Sequence, residues 1–207
     1  MHVRRFVRVS ILPLCFIAAV GAGSQAGDVR LRDLGGHELR PFTTGTRASV
    51  VFFIATDCPV SNAYAPEIQR VCREYGPRGV GCSLMYEDVD TSSAPQPLDA
   101  QVRTHLEDFK YGSLPAAIDR DRSAARHARA SVTPTAVVVD REGAIRYRGR
   151  VDNLYAALGK TRQQVTSHDL RDALDAVLTG QPVPHPETEA IGCFIVDPAT
   201  LRTHSHE

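Results

Sequence analysis

Cys58 is the residue best placed in this sequence to do chemistry. It follows the run Ser49-Val50-Val51-Phe52-Phe53-Ile54-Ala55-Thr56-Asp57 and stands directly before Pro59-Val60-Ser61-Asn62. The apolar run of β-branched and aromatic residues reads as a buried strand, and the segment after it as a helix. At such a turn the first N–H groups of the helix and its dipole favour negative charge, which lowers a thiol pKa and yields a reactive thiolate. The residue three positions on is Ser61, not a second cysteine. Any partner thiol must therefore come from outside the motif. The alternative for Cys58 is an inert thiol packed as a small hydrophobe. Its place before proline at a strand end favours the reactive reading.

The other cysteines depend on where the chain resides. Arg4, Arg5 and Arg8 precede an apolar run from Val9 to Ala22, and Ser24-Gln25-Ala26 offers a small-x-small cleavage site before Gly27. This is the pattern of a signal peptide over residues 1–26. The run is too short for a comfortable transmembrane helix, so export with cleavage is expected, to the periplasm or outside the cell. An uncleaved N-terminal anchor and a lipoprotein built on Cys15 are the alternatives. The mature chain, with no expected membrane span, keeps Cys58, Cys72, Cys82 and Cys193. In an oxidising compartment these allow up to two disulfides. Cys72 on a helix and Cys82 on the next strand could pair, but two unpaired core thiols are the expectation. Helix rise puts Cys72 roughly 20 Å from Cys58, too far for a direct bond.

The elements that must position Cys58 follow from periodicity. Val29–Leu34 and His37–Phe42 form a hairpin around Gly35-Gly36. The buried strand Val50–Ala55 precedes a helix from Asn62 to Tyr75, with Ala65, Ile68, Cys72 and Tyr75 on one stripe and Pro66 near its first turn. A strand over Gly79–Tyr86, a loop over Asp90–Pro97 and a helix over Leu98–Phe109 come next. Pro115–Ile118 is a short strand and Ser123–Ala130 a short helix. Ala136–Asp140 and Ala144–Gly149 pair around Glu142-Gly143. The last helix is capped by Ser167, buries Leu170, Ala173, Leu174, Val177 and Leu178, and ends at Gly180. Pro182–Pro186 is an extended linker into a tail carrying Cys193. Strands alternating with helices imply an α/β sheet covered on both faces.

A second candidate segment is Val132-Thr133-Pro134-Thr135, directly ahead of the apolar run Ala136–Val139. Proline cannot donate to a ladder, and a cis proline there would hold backbone beside the sulfur. With these residues, the Val50–Ile54 strand, Cys58-Pro59, the helix with Pro66 and the Asp140–Gly143 turn, the chain resembles the thioredoxin-like superfamily. More narrowly it is similar to the exported redoxin group related to alkyl hydroperoxide reductase and thiol-specific antioxidant proteins (AhpC/TSA). The resemblance spans roughly residues 28–180. It implies a thioredoxin-like three-layer sandwich, a central mixed sheet with helices on both faces, formed by residues 27–180 and followed by a tail over 181–207. It also implies Cys58 as nucleophile, with Thr133, Pro134 and Pro59 contacting an extended substrate. Two departures stand out. Ser61 replaces the second thiol of a thioredoxin motif, and Thr56 lies two residues before the cysteine rather than the three usual in peroxiredoxins, with no proline ahead of it.

Cys193 lies in the apolar segment Ala190-Ile191-Gly192-Cys193-Phe194-Ile195, which should dock on the domain rather than stay exposed. It either resolves Cys58 through a reversible disulfide or is a structural thiol in a tail that merely packs. His204 and His206 do not assemble a three-ligand metal site. His105 and His127 are expected to be surface or partly packed. Arg148 and Arg150 are expected on a solvated edge strand, with stabilisation of a thiolate or an anionic substrate as the alternative. Asn62 and Tyr64 either cap the helix or hydrogen-bond at the site.

The composition is that of one globular domain: 207 residues, 43% hydrophobic, with 24 Lys and Arg against 24 Asp and Glu. That balance gives no electrostatic reason to expect nucleic acid. The expected function is an exported thiol-disulfide oxidoreductase acting on protein or small-molecule thiols and disulfides, with no cofactor and no metal. The alternatives are a thiol peroxidase reducing hydroperoxides and a non-enzymatic binding module.

Overall fold

The computed structural model describes residues 29–43, 45–90 and 94–197. The signal segment, Cys15, His204 and His206 lie outside the described residues. The elements run β1 (Leu31–Arg32), β2 (Glu38–Leu39), β3 (Ala48–Ile54), α1 (Pro59–Tyr75), a short 3₁₀ turn over Gly76–Arg78, β4 (Val80–Tyr86) and α2 (Leu98–Asp108). They continue with β5 (Ala116–Ile118), α3 (Ser123–Ala128), β6 (Val132–Thr133), β7 (Thr135–Asp140), β8 (Ile145–Gly149), β9 (Tyr155–Ala157), β10 (Lys160–Thr161), α4 (Asp169–Leu178) and β11 (Cys193–Phe194).

The core is a five-stranded mixed sheet in the order β5-β4-β3-β7-β8. β4 runs parallel to β3 and β5, and β7 runs antiparallel to β3 and β8. β3 lies at the centre because it has no polar face. Val50, Phe52 and Ile54 point into one core with residues of α1, α2 and α4, while Val51 and Phe53 point into a second with α3 and the N-terminal hairpin. A strand buried on both faces carries a continuous apolar run instead of an alternating one. The fold is therefore the thioredoxin-like α/β sandwich, with helices on both faces of the sheet.

Several boundaries differ from the sequence expectation. α1 begins at Pro59 rather than Asn62, because proline suits the first helical position. Cys58 thereby becomes the residue that caps the helix. α4 begins at Asp169 behind His168, one residue beyond the expected Ser167 cap. The hairpin strands are two residues each. β9 and β10 form a small ribbon that hydrophobic periodicity did not show.

Cys72 and Cys82 form a disulfide, with Cα atoms 6.0 Å apart, which corrects the expectation of two unpaired thiols. The reason is the tightness of the connection. Only the 3₁₀ turn and Gly79, at φ +90°, separate α1 from β4, so the chain reverses at once. Both cysteines are half-buried. Closing a loop of 10 residues should contribute about 2–3 kcal/mol by restricting the unfolded chain. Denaturant unfolding of a Cys72→Ala/Cys82→Ala double variant is expected to show a loss of that size with Cys58 chemistry retained. An unchanged midpoint would contradict it.

Candidate active site

β3 delivers Cys58 to the N-terminus of α1 with its side chain wholly buried. The Ser61 N–H donates to Cys58 Sγ at 3.4 Å, so the sulfur itself caps the helix. In its protonated form Cys58 Sγ donates to Thr133 O at 3.1 Å, across 75 residues of sequence. The Thr133–Pro134 peptide is cis. Pro59 lies exposed on the first turn of α1 beside the sulfur.

Cys193 arrives at the same point from the tail. β11 pairs antiparallel with β6, placing Cys193 opposite Thr133 and Phe194 opposite Val132. Ile195 N–H donates to Ser131 O at 2.9 Å and extends the pairing. Two glycines allow so close an approach. A Cβ on Gly192 would overlap Thr133 O and its carbonyl carbon, and one on Gly149 would overlap Thr188. The segment Pro186–Thr188 runs along β8 through hydrogen bonds to Arg148 N and O, both 3.0 Å. Thr133, Pro134, Cys58 and Cys193 therefore converge. The edge that the family resemblance reserves for an extended substrate is occupied by the chain's own tail.

The two free cysteines are tuned in opposite directions. Burial raises the Cys58 thiol. The Cys193 thiol, the Ser61 and Thr133 side chains and the Ser61 N–H, all acting on the sulfur, outweigh it and hold Cys58 below the ordinary cysteine value. The buried Ser61 hydroxyl makes no hydrogen bond in the structure and so remains available as a donor to a thiolate. Cys193 is pushed up to about 12 by burial, by its hydrogen bond to Cys58 and by the charge of Cys58. The pair is thus tuned apart, with Cys58 the easier to ionise and Cys193 the harder.

The turn carrying Cys58 is braced from below. Asp88 accepts from Thr56 N at 2.9 Å and from the Thr56 hydroxyl. Asn62 Nδ2 donates to Thr56 O at 3.0 Å, which leaves Asn62 Oδ1 to accept from His105 Nε2 at 2.8 Å. His105 Nδ1 then accepts from the Tyr86 hydroxyl at 2.9 Å. Burial lowers the His105 pKa and keeps the ring neutral, as this chain of donors requires. His105 is thus a buried bridge and not a surface residue. Asn62 ties the turn to α2, while Tyr64 donates to Asp152 at 2.7 Å, away from the sulfur.

Two buried charges escaped the sequence reading. Arg122 is 2% exposed; its guanidinium donates to Val196 O at 2.9 Å, to Glu87 O and Asp88 O at 3.0 Å, and to Asp119 O. It joins the tail to the end of β4. Glu87 lies beside it, raised to about 9 by burial and by the nearby Asp119 charge, against the opposing pull of Arg122. Glu87, Thr56, Asp57, Asp88, Thr133, Cys193 and Phe194 border a cavity of about 330 Å³. The sequence offers no signal for either, since Glu87 and Arg122 stand in the charged stretches Glu87-Asp88 and Asp119-Arg120-Asp121-Arg122. Arg148 is buried rather than solvated and Arg150 is half-buried: Arg148 donates to Ala128 O at 2.9 Å and pairs with Glu187 at 2.6 Å, and Arg150 pairs with Asp169 at 2.8 Å. Neither reaches the thiolate, because linker and helix residues satisfy both. Among the described residues no group of three or more His, Cys, Asp or Glu could hold a metal, and no helix is long and apolar enough to cross a membrane.

The tuning predicts a two-step titration in protein lacking residues 1–26. Thiolate absorbance should rise first with an inflection below the ordinary cysteine value, from Cys58, and again near 12, from Cys193. Cys193→Ala removes a donor to the thiolate, so the first inflection should move to higher pH. A first inflection unmoved by that change would contradict the shared hydrogen bond.

The model of the AhpC/TSA family matches residues 22–148 of this chain. A solved structure of an uncharacterized conserved protein from Geobacillus kaustophilus is 28% identical, with a TM-score of 0.72 over 84% of this chain and 90% of that one. A hypothetical protein from Sinorhizobium meliloti 1021 is 30% identical, with a TM-score of 0.69 over 82% of this chain and 91% of that one. A thioredoxin-like protein from Aeropyrum pernix shares the fold at 15% identity, with a TM-score of 0.52 over 74% of this chain and 89% of that one. A comparison with curated proteins finds no match. The tail with Cys193 lies beyond the span of the family match. With its central mixed sheet and its cysteine at the head of α1, this chain belongs to the AhpC/TSA family of thioredoxin-like oxidoreductases.

Proposed function

We propose that the protein is an exported thiol-disulfide oxidoreductase that cycles between a Cys58/Cys193 dithiol and a Cys58–Cys193 disulfide. The observation that carries this reading is the register that sets Cys193 opposite Thr133, whose carbonyl contacts the Cys58 sulfur. In the first step the Cys58 thiolate attacks one sulfur of a substrate disulfide, forming a mixed disulfide and expelling the other sulfur as a thiolate. In the second step Cys193 loses its proton to the expelled thiolate or to water. Its sulfur then attacks Cys58, and the second substrate sulfur leaves. The substrate disulfide becomes two thiols, and the protein gains one disulfide. An external thiol donor restores the dithiol.

The electrostatics time these steps. Two of the influences that raise Cys193 are the hydrogen bond to Cys58 and the negative charge on Cys58. Both disappear when Cys58 becomes part of a mixed disulfide, so Cys193 deprotonates more readily once it is needed. Cys58, with its lowered pKa, is the better leaving group when the disulfide is opened. The Cys72–Cys82 disulfide and the N-terminal signal pattern support residence in an oxidising compartment.

Complete burial of Cys58 favours a second reading, in which the oxidant is a small hydroperoxide. There the thiolate takes the distal oxygen to form a sulfenic acid, an alcohol leaves, and Cys193 condenses with release of water. One pair of assays separates the readings. Turnover of glutathione disulfide with dithiothreitol as reductant should fall about 1,000-fold or more in Cys58→Ser. Without dithiothreitol, Cys193→Ser should stop at a stoichiometric Cys58–glutathione mixed disulfide. Hydroperoxide-dependent sulfenic acid in Cys193→Ala, without disulfide turnover by the native protein, would replace the first reading with the second. Native rates in Cys58→Ser would overturn both.

A further inference from the structure

We infer that the docked tail is a built-in competitor for the β6 edge and that its geometry fixes what can replace it: an extended segment of another polypeptide with glycine directly before a cysteine. The geometry of the docked tail defines what fits. Cys193 and Phe194 pair antiparallel with Thr133 and Val132, and the Ile195 N–H reaches Ser131 O. These are the main-chain contacts by which one strand adds to the edge of another, while alternate side chains set selectivity.

The selectivity here is steric and sits at one position. Gly192 packs so closely on Thr133 that a Cβ would overlap the Thr133 carbonyl, and backbone cannot yield as a side-chain tip does. Any residue other than glycine before the cysteine is rejected in this register. The following position is permissive, because Phe194 is 80% exposed. The strand pairing that docks the tail is short: β11 has two residues, and beyond it the Arg122 guanidinium grips Val196 O. A strand of two residue pairs opens more readily than the five-stranded sheet. While docked it leaves Cys58 no solvent exposure. The tail therefore acts as a tethered ligand that must be displaced before a polypeptide can occupy this edge. The inference concerns the site of the proposed redox cycle, but its test reads docking rather than turnover and stands apart from that cycle.

The test compares Cys193→Ala, in which the tail stays docked, with Gly192→Ala/Cys193→Ala, in which it cannot. Circular dichroism should show the same fold, and Cys58 alkylation by iodoacetamide should be about tenfold faster or more in the double variant. A chain ending after Glu189 should show the same gain and guards against a misfolded double variant. The peptide Ala-Ile-Gly-Ala-Phe-Ile-Val, matching residues 190–196 with the cysteine replaced, should slow that alkylation. The same peptide with alanine in place of its glycine should not. Equal alkylation rates in the docked and undocked variants, or equal protection by the two peptides, would overturn the inference.

Discussion

The chemistry of this molecule depends on backbone pairing between two very short strands. β6 and β11 share two residue pairs, and one of them sets Cys193 against Thr133. A shift of one residue would turn the Cys193 side chain to the opposite face, since side chains alternate along a strand. Thr133 O also receives the Cys58 thiol. One peptide group therefore fixes both sulfurs, and the remaining structure serves to hold that group still. β7 continues directly from the cis-proline into the centre of the sheet. α1 supplies N–H groups to the sulfur, and the Thr56–Asp88 and Asn62–His105–Tyr86 bonds fix the turn between them.

The pair also shows how one environment tunes two like groups apart. The Cys193 thiol that favours a thiolate at Cys58 is itself hard to ionise. Helix-terminal N–H groups decide which of the two carries the charge, because only Cys58 caps a helix. Arg122 provides no countercharge to the sulfur. It is engaged with backbone oxygens of Glu87, Asp88, Asp119 and Val196, and so works as a bracket for the tail.

Much of this was legible in the sequence. The central strand was readable because burial on both faces leaves an unbroken apolar run, and α1, α2 and α4 because their apolar positions recur at helical spacing. Cys58 and Thr133-Pro134 stood out through local chemistry. What was not legible is set by contacts distant in sequence. The docking of Cys193 depends on the absence of a Cβ at Gly192, and only the facing carbonyl of Thr133 gives that absence a meaning. The Cys72–Cys82 pairing depends on how sharply a 3₁₀ turn reverses the chain. Arg148 was expected on a solvated edge and Arg122 drew no expectation, because their partners include main-chain oxygens, to which composition and periodicity are blind. His105 was hidden likewise, since its two partners lie 19 and 43 residues away.

The central claim is that Cys58 and Cys193 are partners in one redox couple. It is tested most directly by adding one equivalent of oxidant to the reduced full chain, quenching in acid and mapping the cysteines by peptide mass. The account predicts a single new intramolecular disulfide between Cys58 and Cys193, with Cys72–Cys82 unchanged. Oxidation of Cys58 to a sulfenic acid or to an external mixed disulfide, with Cys193 still free to alkylate, would contradict it.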